Sequence, residues 1–141
     1  MWIAMVIPVS GMKAELGNLT VSITNIRSDS GILRMAIYDD PDQFPDNPAS
    51  TYILNKLDIK DSMLSIVIPD LPAGIYAIAL LDDLDGDDEM DYTLLHFPKE
   101  GFGFSNNIKP GLRRPPYKKC SFRIEEGENQ ISIAIQYFRE K

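Results

Sequence analysis

Cysteine and histidine each occur once, as Cys120 and His96. One cysteine excludes an intramolecular disulfide and a cysteine-based zinc site. One histidine excludes a multi-histidine metal centre. No stretch carries a helical hydrophobic period, and there is no internal repeat, low-complexity tract or linker. The apolar start, Met1 to Gly11, is shorter than the ~20 residues a membrane-spanning helix needs. Basic charge is scarce: 14 Lys and Arg stand against 21 Asp and Glu, a net charge of −7. That balance argues against general binding to nucleic acid or to anionic membranes. Oxygen is the only plentiful metal ligand, and oxygen favours hard cations such as calcium or magnesium.

What is present is a foldable globular chain. Its 141 residues are 44% hydrophobic, enough for one domain with a real core. The apolar start has the length of a secretory h-region, although no Lys or Arg precedes it and no clean Ala-x-Ala site follows. Residues 1–16 read as a shortened signal peptide, which would take the protein to the periplasm or outside the cell. The alternative is an apolar arm docked on the domain. Residues 17–141 read as a single β-domain.

Its strands announce themselves by alternation. Leu19 to Thr24 and Ile32 to Tyr38 each place apolar residues at every second position. They flank the turn residues Ser28 to Gly31, which suggests a hairpin. Asp39 to Ser50 holds three prolines and reads as a long loop. Tyr52 to Ile59 alternates weakly and Met63 to Ile68 strongly. Ile75 to Leu81 is apolar on both faces, as a central covered strand should be. Tyr92 to Leu95 reads as a short strand and Phe97 to Arg114 as an irregular, ordered loop. Two strands close the chain: Tyr117 to Ile124, with Cys120, Phe122 and Ile124 on one face, and Gln130 to Phe138. About seven short strands with regular turn signals predict an all-β, antiparallel sandwich of the immunoglobulin-like or prealbumin-like kind.

One stretch calls for an explanation. Leu81 to Asp91 places seven carboxylates in eleven residues. Each close pair repels by about 1 kcal/mol in water and about 4 kcal/mol at an effective dielectric of 20. Solvent, a cation or a basic segment must offset that. Lys109, Arg113, Arg114, Lys118 and Lys119 make one such basic segment. A metal is the other option, because Asp83, Asp85 and Asp87 have the one-three-five spacing of calcium loops, in which alternate side chains converge on one point. The main-chain carbonyl of Glu89 and the side chain of Asp91 follow in order. The sixth position is Asp88 rather than glycine, and the twelfth is Leu94 rather than glutamate. No helices flank the loop, so an EF-hand is excluded.

Three motifs then resemble a known family. Pro72 to Ala79 is similar to its "P-x-G-x-Y-A" strand start, and Asp83 to Asp91 to its "D-x-N-x-N-G-x-x-D" loop. Pro98-Lys99-Glu100-Gly101-Phe102-Gly103-Phe104-Ser105-Asn106-Asn107 looks like its most specific signature. Together, over about Leu19 to Tyr137, they resemble a bacterial domain-of-unknown-function family, two-one-four-one, of exported proteins. The resemblance implies a prealbumin-like or carboxypeptidase-regulatory-like sandwich and a signal peptide; it implies no activity. Where the family loop has Asn, this chain has Asp85 and Asp87. The added charge favours a divalent cation.

Other residues offer less chemistry. For His96, Ser105 and Asp91 are available in sequence as nucleophile and orienting carboxylate, but no nucleophile-elbow motif is present, so no catalytic residue is assigned. Cys120 reads as a core thiol. Phe102, Phe104 and Tyr117 would suit an aromatic platform for a sugar or peptide, or would pin the glycine-rich loop to the sandwich. The expectation is therefore a non-catalytic exported module holding one structural calcium ion at Asp83, Asp85, Asp87, Glu89 and Asp91. The alternatives are a carbohydrate- or peptide-binding module using the aromatic loop, and a hydrolase of unknown substrate.

Overall fold

The computed structural model describes residues 15–27, 29–83, 101–108 and 115–137. These form β1 (Leu16–Thr24), β2 (Ile32–Tyr38), β3 (Ser50–Leu54), β4 (Leu64–Pro72), β5 (Gly74–Asp83), β6 (Gly101–Phe104), the single-turn helix α1 (Tyr117–Cys120), β7 (Phe122–Ile124) and β8 (Gly127–Ala134). One sheet has the order β4-β1-β8 and the other β3-β2-β5-β6, with β7 beside the start of β5. The expected all-β sandwich is what the described chain forms. One pair is parallel: β1 runs alongside β8 from Gly17↔Gly127 to Thr24↔Ala134.

The core lies between the sheets, where period two puts every second side chain. Leu19, Val21 and Ile23 of β1 meet Leu33, Met35 and Ile37 of β2, Ile78 and Leu80 of β5, and Ile133 and Ile135 near the C-terminus; all are buried. Each such side chain contributes about 1.5–3 kcal/mol by leaving water. Ile75 to Leu81 lies in β5 as predicted, flanked by β2 on one edge and by β6 and β7 on the other.

Three local expectations give way. β1 and β2 are not a hairpin, because they belong to different sheets. Asn25, at φ 63°, and Gly31, at φ 75°, turn the connecting chain across the sandwich, and the Ile26 N–H donates to the Ser62 carbonyl at 3.0 Å. Tyr117 to Ile124 is not one strand. Pro116 starts a helical turn, and the Lys118 carbonyl accepts from the Ser121 N–H at 3.4 Å and its hydroxyl at 2.8 Å, ending the turn. Cys120 consequently packs in an outer cluster, whereas Ile124 enters the main core.

The third correction concerns Gly101 to Phe104, expected as irregular loop and found as β6. A Cβ at Gly101 would sit 2.5 Å from the Tyr137 ring and 2.6 Å from Ile135, and one at Gly103 would sit 2.8 Å from Ile133. Glycine lets the stem after β8 lie directly against the strand. Phe102 and Gln136 exchange backbone hydrogen bonds of 3.0 and 2.7 Å, which ties the two sheets along this side.

Candidate functional site

The acidic stretch begins inside β5, and strand alternation separates its first two carboxylates. Asp82 follows Ile78 and Leu80 toward the core, and Asp83 turns to the outer face; both are fully buried. A buried lone carboxylate is costly unless it is paired and hydrogen-bonded. Lys56 Nζ lies 2.5 Å from Asp82 Oδ1 and also donates to the Ser30 carbonyl at 2.6 Å. The Tyr137 hydroxyl donates to Asp82 Oδ2 at 2.6 Å. The same hydroxyl oxygen accepts from the Arg27 N–H at 3.1 Å, and the Arg27 guanidinium stands 4.6 Å above the Tyr137 ring. Burial first, and then the bond to Asp82, raise the Tyr137 phenol well above its usual range.

On the outer face, Arg34 of β2 places Nε 2.7 Å from Asp83 Oδ2. Thus two of the seven carboxylates are neutralised within the fold, by cations from β2 and from the 3₁₀ turn that follows β3. Asn55 caps that turn, accepting from the Leu57 N–H at 2.6 Å, and so fixes where Lys56 starts.

Neither cation belongs to the basic segment expected to neutralise the stretch. Lys118 and Lys119 lie exposed on α1, whose Tyr117 hydroxyl donates to the Ile75 carbonyl at 3.2 Å. Ile75 and Asp83 stand at opposite ends of β5, about 26 Å apart at about 3.3 Å per residue. Lys109, Arg113 and Arg114 fall outside the described residues. Lys56 gave no sequence signal, since one lysine in a loop resembles any solvated charge. Arg34 breaks the outward face of β2, and a charge there is ordinary in a half-exposed strand.

The loop after Asp83 starts and returns at one place. Asp82 pairs with Leu33 on one side and with Gly101 on the other, so the chain leaves and re-enters the sheet side by side. Asp85, Asp87, Glu89 and Asp91 lie outside the described residues, as do His96 and the expected strand Tyr92 to Leu95.

The aromatic trio is placed differently. Phe102 and Phe104 project outward from β6 and are 1% and 8% exposed. Their rings meet edge to face at 5.7 Å, Phe44 lies 6.5 Å from Phe104, and Tyr117 lies 5.7 Å from Phe44. Such pairs add about 0.5–1.5 kcal/mol beyond burial. With Ala77 and Cys120 they make a second small core on the outer face of the larger sheet. Tyr117 is half-buried, and burial, then Asp39 and Asp40, raise its phenol. Burial pushes the Cys120 thiol up to about 11, so it is a packing group and not a nucleophile.

Ser105 to Asn107 complete the edge. The Ile78 N–H donates to Ser105 Oγ at 3.0 Å, and that hydroxyl donates to the Cys120 carbonyl at 2.5 Å. One serine therefore spans the gap between β6 and β7. Asn106 and Asn107, at φ 66° and 52°, take the left-handed turn that asparagine tolerates. Asn106 Nδ2 donates to the Lys119 and Ser121 carbonyls, and Asn107 Oδ1 accepts from the Ala134 N–H at 2.8 Å. The described part of the glycine-rich motif thus builds the fold at every residue.

No curated protein and no solved structure matches the chain. A family profile does, over residues 21–132, from within β1 to within β8. The chain belongs to the bacterial family described as "Uncharacterized protein conserved in bacteria (DUF2141)".

Proposed function

We propose that this β-sandwich is an exported, non-catalytic module that holds one calcium ion in the loop leaving β5. Asp85, Asp87 and Asp91 would supply side-chain oxygens and Glu89 its carbonyl. Asp83 holds the first position, its Oδ2 accepting from Arg34. The observation that carries this reading is the alternation of carboxylates at 83, 85 and 87, on a chain whose exit and return are clamped together by the Asp82↔Gly101 pairing. Holding both ends lowers the ordering entropy a cation must offset. An all-oxygen set suits a hard cation, and calcium accepts 6–8 oxygens in looser geometry than the octahedron magnesium demands. The apolar run ahead of β1 supports export.

Calorimetric titration of the full chain tests this reading. One calcium ion should bind per chain, with a dissociation constant of about 10⁻⁴–10⁻³ M, as in extracellular modules. The double variant Asp85→Asn/Asp87→Asn should weaken binding by at least about tenfold, or about 1.4 kcal/mol. Absence of saturable binding in the wild-type chain overturns the proposal.

A further inference from the structure

The acidic loop stands on two stem residues, Asp82 and Gly101, which are partners across β5 and β6. Phe102 exchanges backbone hydrogen bonds with Gln136 on the far side of β6, at 3.0 and 2.7 Å. Successive residues of a strand direct their N–H and C=O groups to opposite sides, so those of Gly101 face β5. The far side of β6 is occupied by residues 135–137, which follow β8 and cross from the smaller sheet to the larger.

That crossing segment is fastened at three points. At its start the Ile135 N–H donates to the Thr24 carbonyl at 2.9 Å, and Asn25 Nδ2 donates to the Ile135 carbonyl at 2.7 Å. In its middle Gln136 holds Phe102. At its end Tyr137 reaches both stem residues. Its hydroxyl donates to Asp82 Oδ2 at 2.6 Å, and its ring lies where a Cβ on Gly101 would come within 2.5 Å. The Arg27 N–H, donating to the hydroxyl oxygen at 3.1 Å, and the guanidinium 4.6 Å above the ring hold the phenol there.

The fastenings differ in depth. Ile135 is fully buried in the main core, whereas Gln136 and Tyr137 are half-buried. Segments with shallow backbone bonds open at a lower free energy than the whole fold. The bond from Tyr137 has a charged acceptor, and such bonds are about twice as strong as neutral ones. Losing it leaves Asp82 paired with Lys56 through its other oxygen, and leaves Ile135 in the core. Opening of residues 136 and 137 therefore strands no charge and empties no core position.

We infer that Tyr137 is a latch on the stem of the acidic loop. With residues 136 and 137 docked, Asp82 and Gly101 are held as a pair; when they undock, the stem opens while the rest of the sandwich stays folded. The footing of the loop is thus set from the segment after β8, whatever the loop binds.

Hydrogen exchange of the full chain, followed amide by amide in a calcium chelator, tests the latch apart from any ion. Tyr137→Phe keeps the ring on Gly101 and removes the hydroxyl. In that variant the Gly101, Phe102 and Gln136 amides should exchange at least about tenfold faster, or about 1.4 kcal/mol. If it fails to fold, Gly101→Ala, whose methyl group displaces the ring, takes its place with Phe102 and Gln136 as readouts. A second measurement separates a latch from a merely structural contact. Urea below the unfolding transition should speed the β1–β4 and β1–β8 ladder amides of the wild-type chain and leave these three nearly unchanged, because local opening exposes little surface. Two results overturn the inference: exchange at the three amides that the substitution does not alter, or exchange that rises with urea as steeply there as in the ladders.

Discussion

Among the described residues, Lys56 and Asp82 form an ion pair in which both partners are buried. Replacing Lys56 by methionine strands a carboxylate inside the sandwich. Urea unfolding should show a loss of about 3–5 kcal/mol for Lys56→Met. The double variant Lys56→Met/Asp82→Leu should recover much of it, because no unpaired charge remains. Tyr137 makes the same site sensitive to alkali. Its phenol is raised in the folded state by burial and by the bond to Asp82, while the unfolded chain ionises near its ordinary value of about 10. The stabilisation is therefore complete below about pH 10 and is lost as pH rises toward the folded value. Urea midpoints measured from about pH 8 to about pH 12 should fall less steeply for Tyr137→Phe than for the wild-type chain.

Among the elements, β6 and β7 share one edge of β5, and Ser105 fills the gap between them. Ser105→Ala leaves the Ile78 N–H and the Cys120 carbonyl without that partner. A cost of about 1–3 kcal/mol is expected, with faster hydrogen exchange at the Ile78 amide as the local readout. The same region marks where sequence reading reached its limit. A run apolar on both faces located β5, and strong alternation located β1, β2, β4 and β8, because period two is dictated by burial on one face. It did not say which strands pair, since a half-buried strand serves equally well opposite a neighbour across the core or beside it; hence β1 and β2 read as a hairpin. β6 read as loop because two of its four residues are glycine, chosen by the Tyr137 and Ile135 side chains that come from the far end of the chain. The acidic stretch was plain in sequence. Its partners Lys56 and Arg34 were not, because a long-range ion pair leaves no local pattern.

At the scale of the whole molecule, the sandwich gathers the exit and return of the acidic loop at one end of β5 and a small aromatic core on its outer face. Lys56 pairs with Asp82 and Arg34 with Asp83, and in the proposed site a cation would serve Asp83 at the first position together with the carboxylates beyond it. A bound ion that prefers the folded chain stabilises it by about 2.7 kcal/mol at one hundred times the dissociation constant. For a domain of this size that is a rise in melting temperature on the order of 8 °C. The direct measurement is the melting temperature of the full chain in saturating calcium, against the same chain in a calcium chelator. The calcium-module account predicts that rise in calcium and its absence in Asp85→Asn/Asp87→Asn. A wild-type melting temperature that stays within about 1 °C across the two conditions would contradict it.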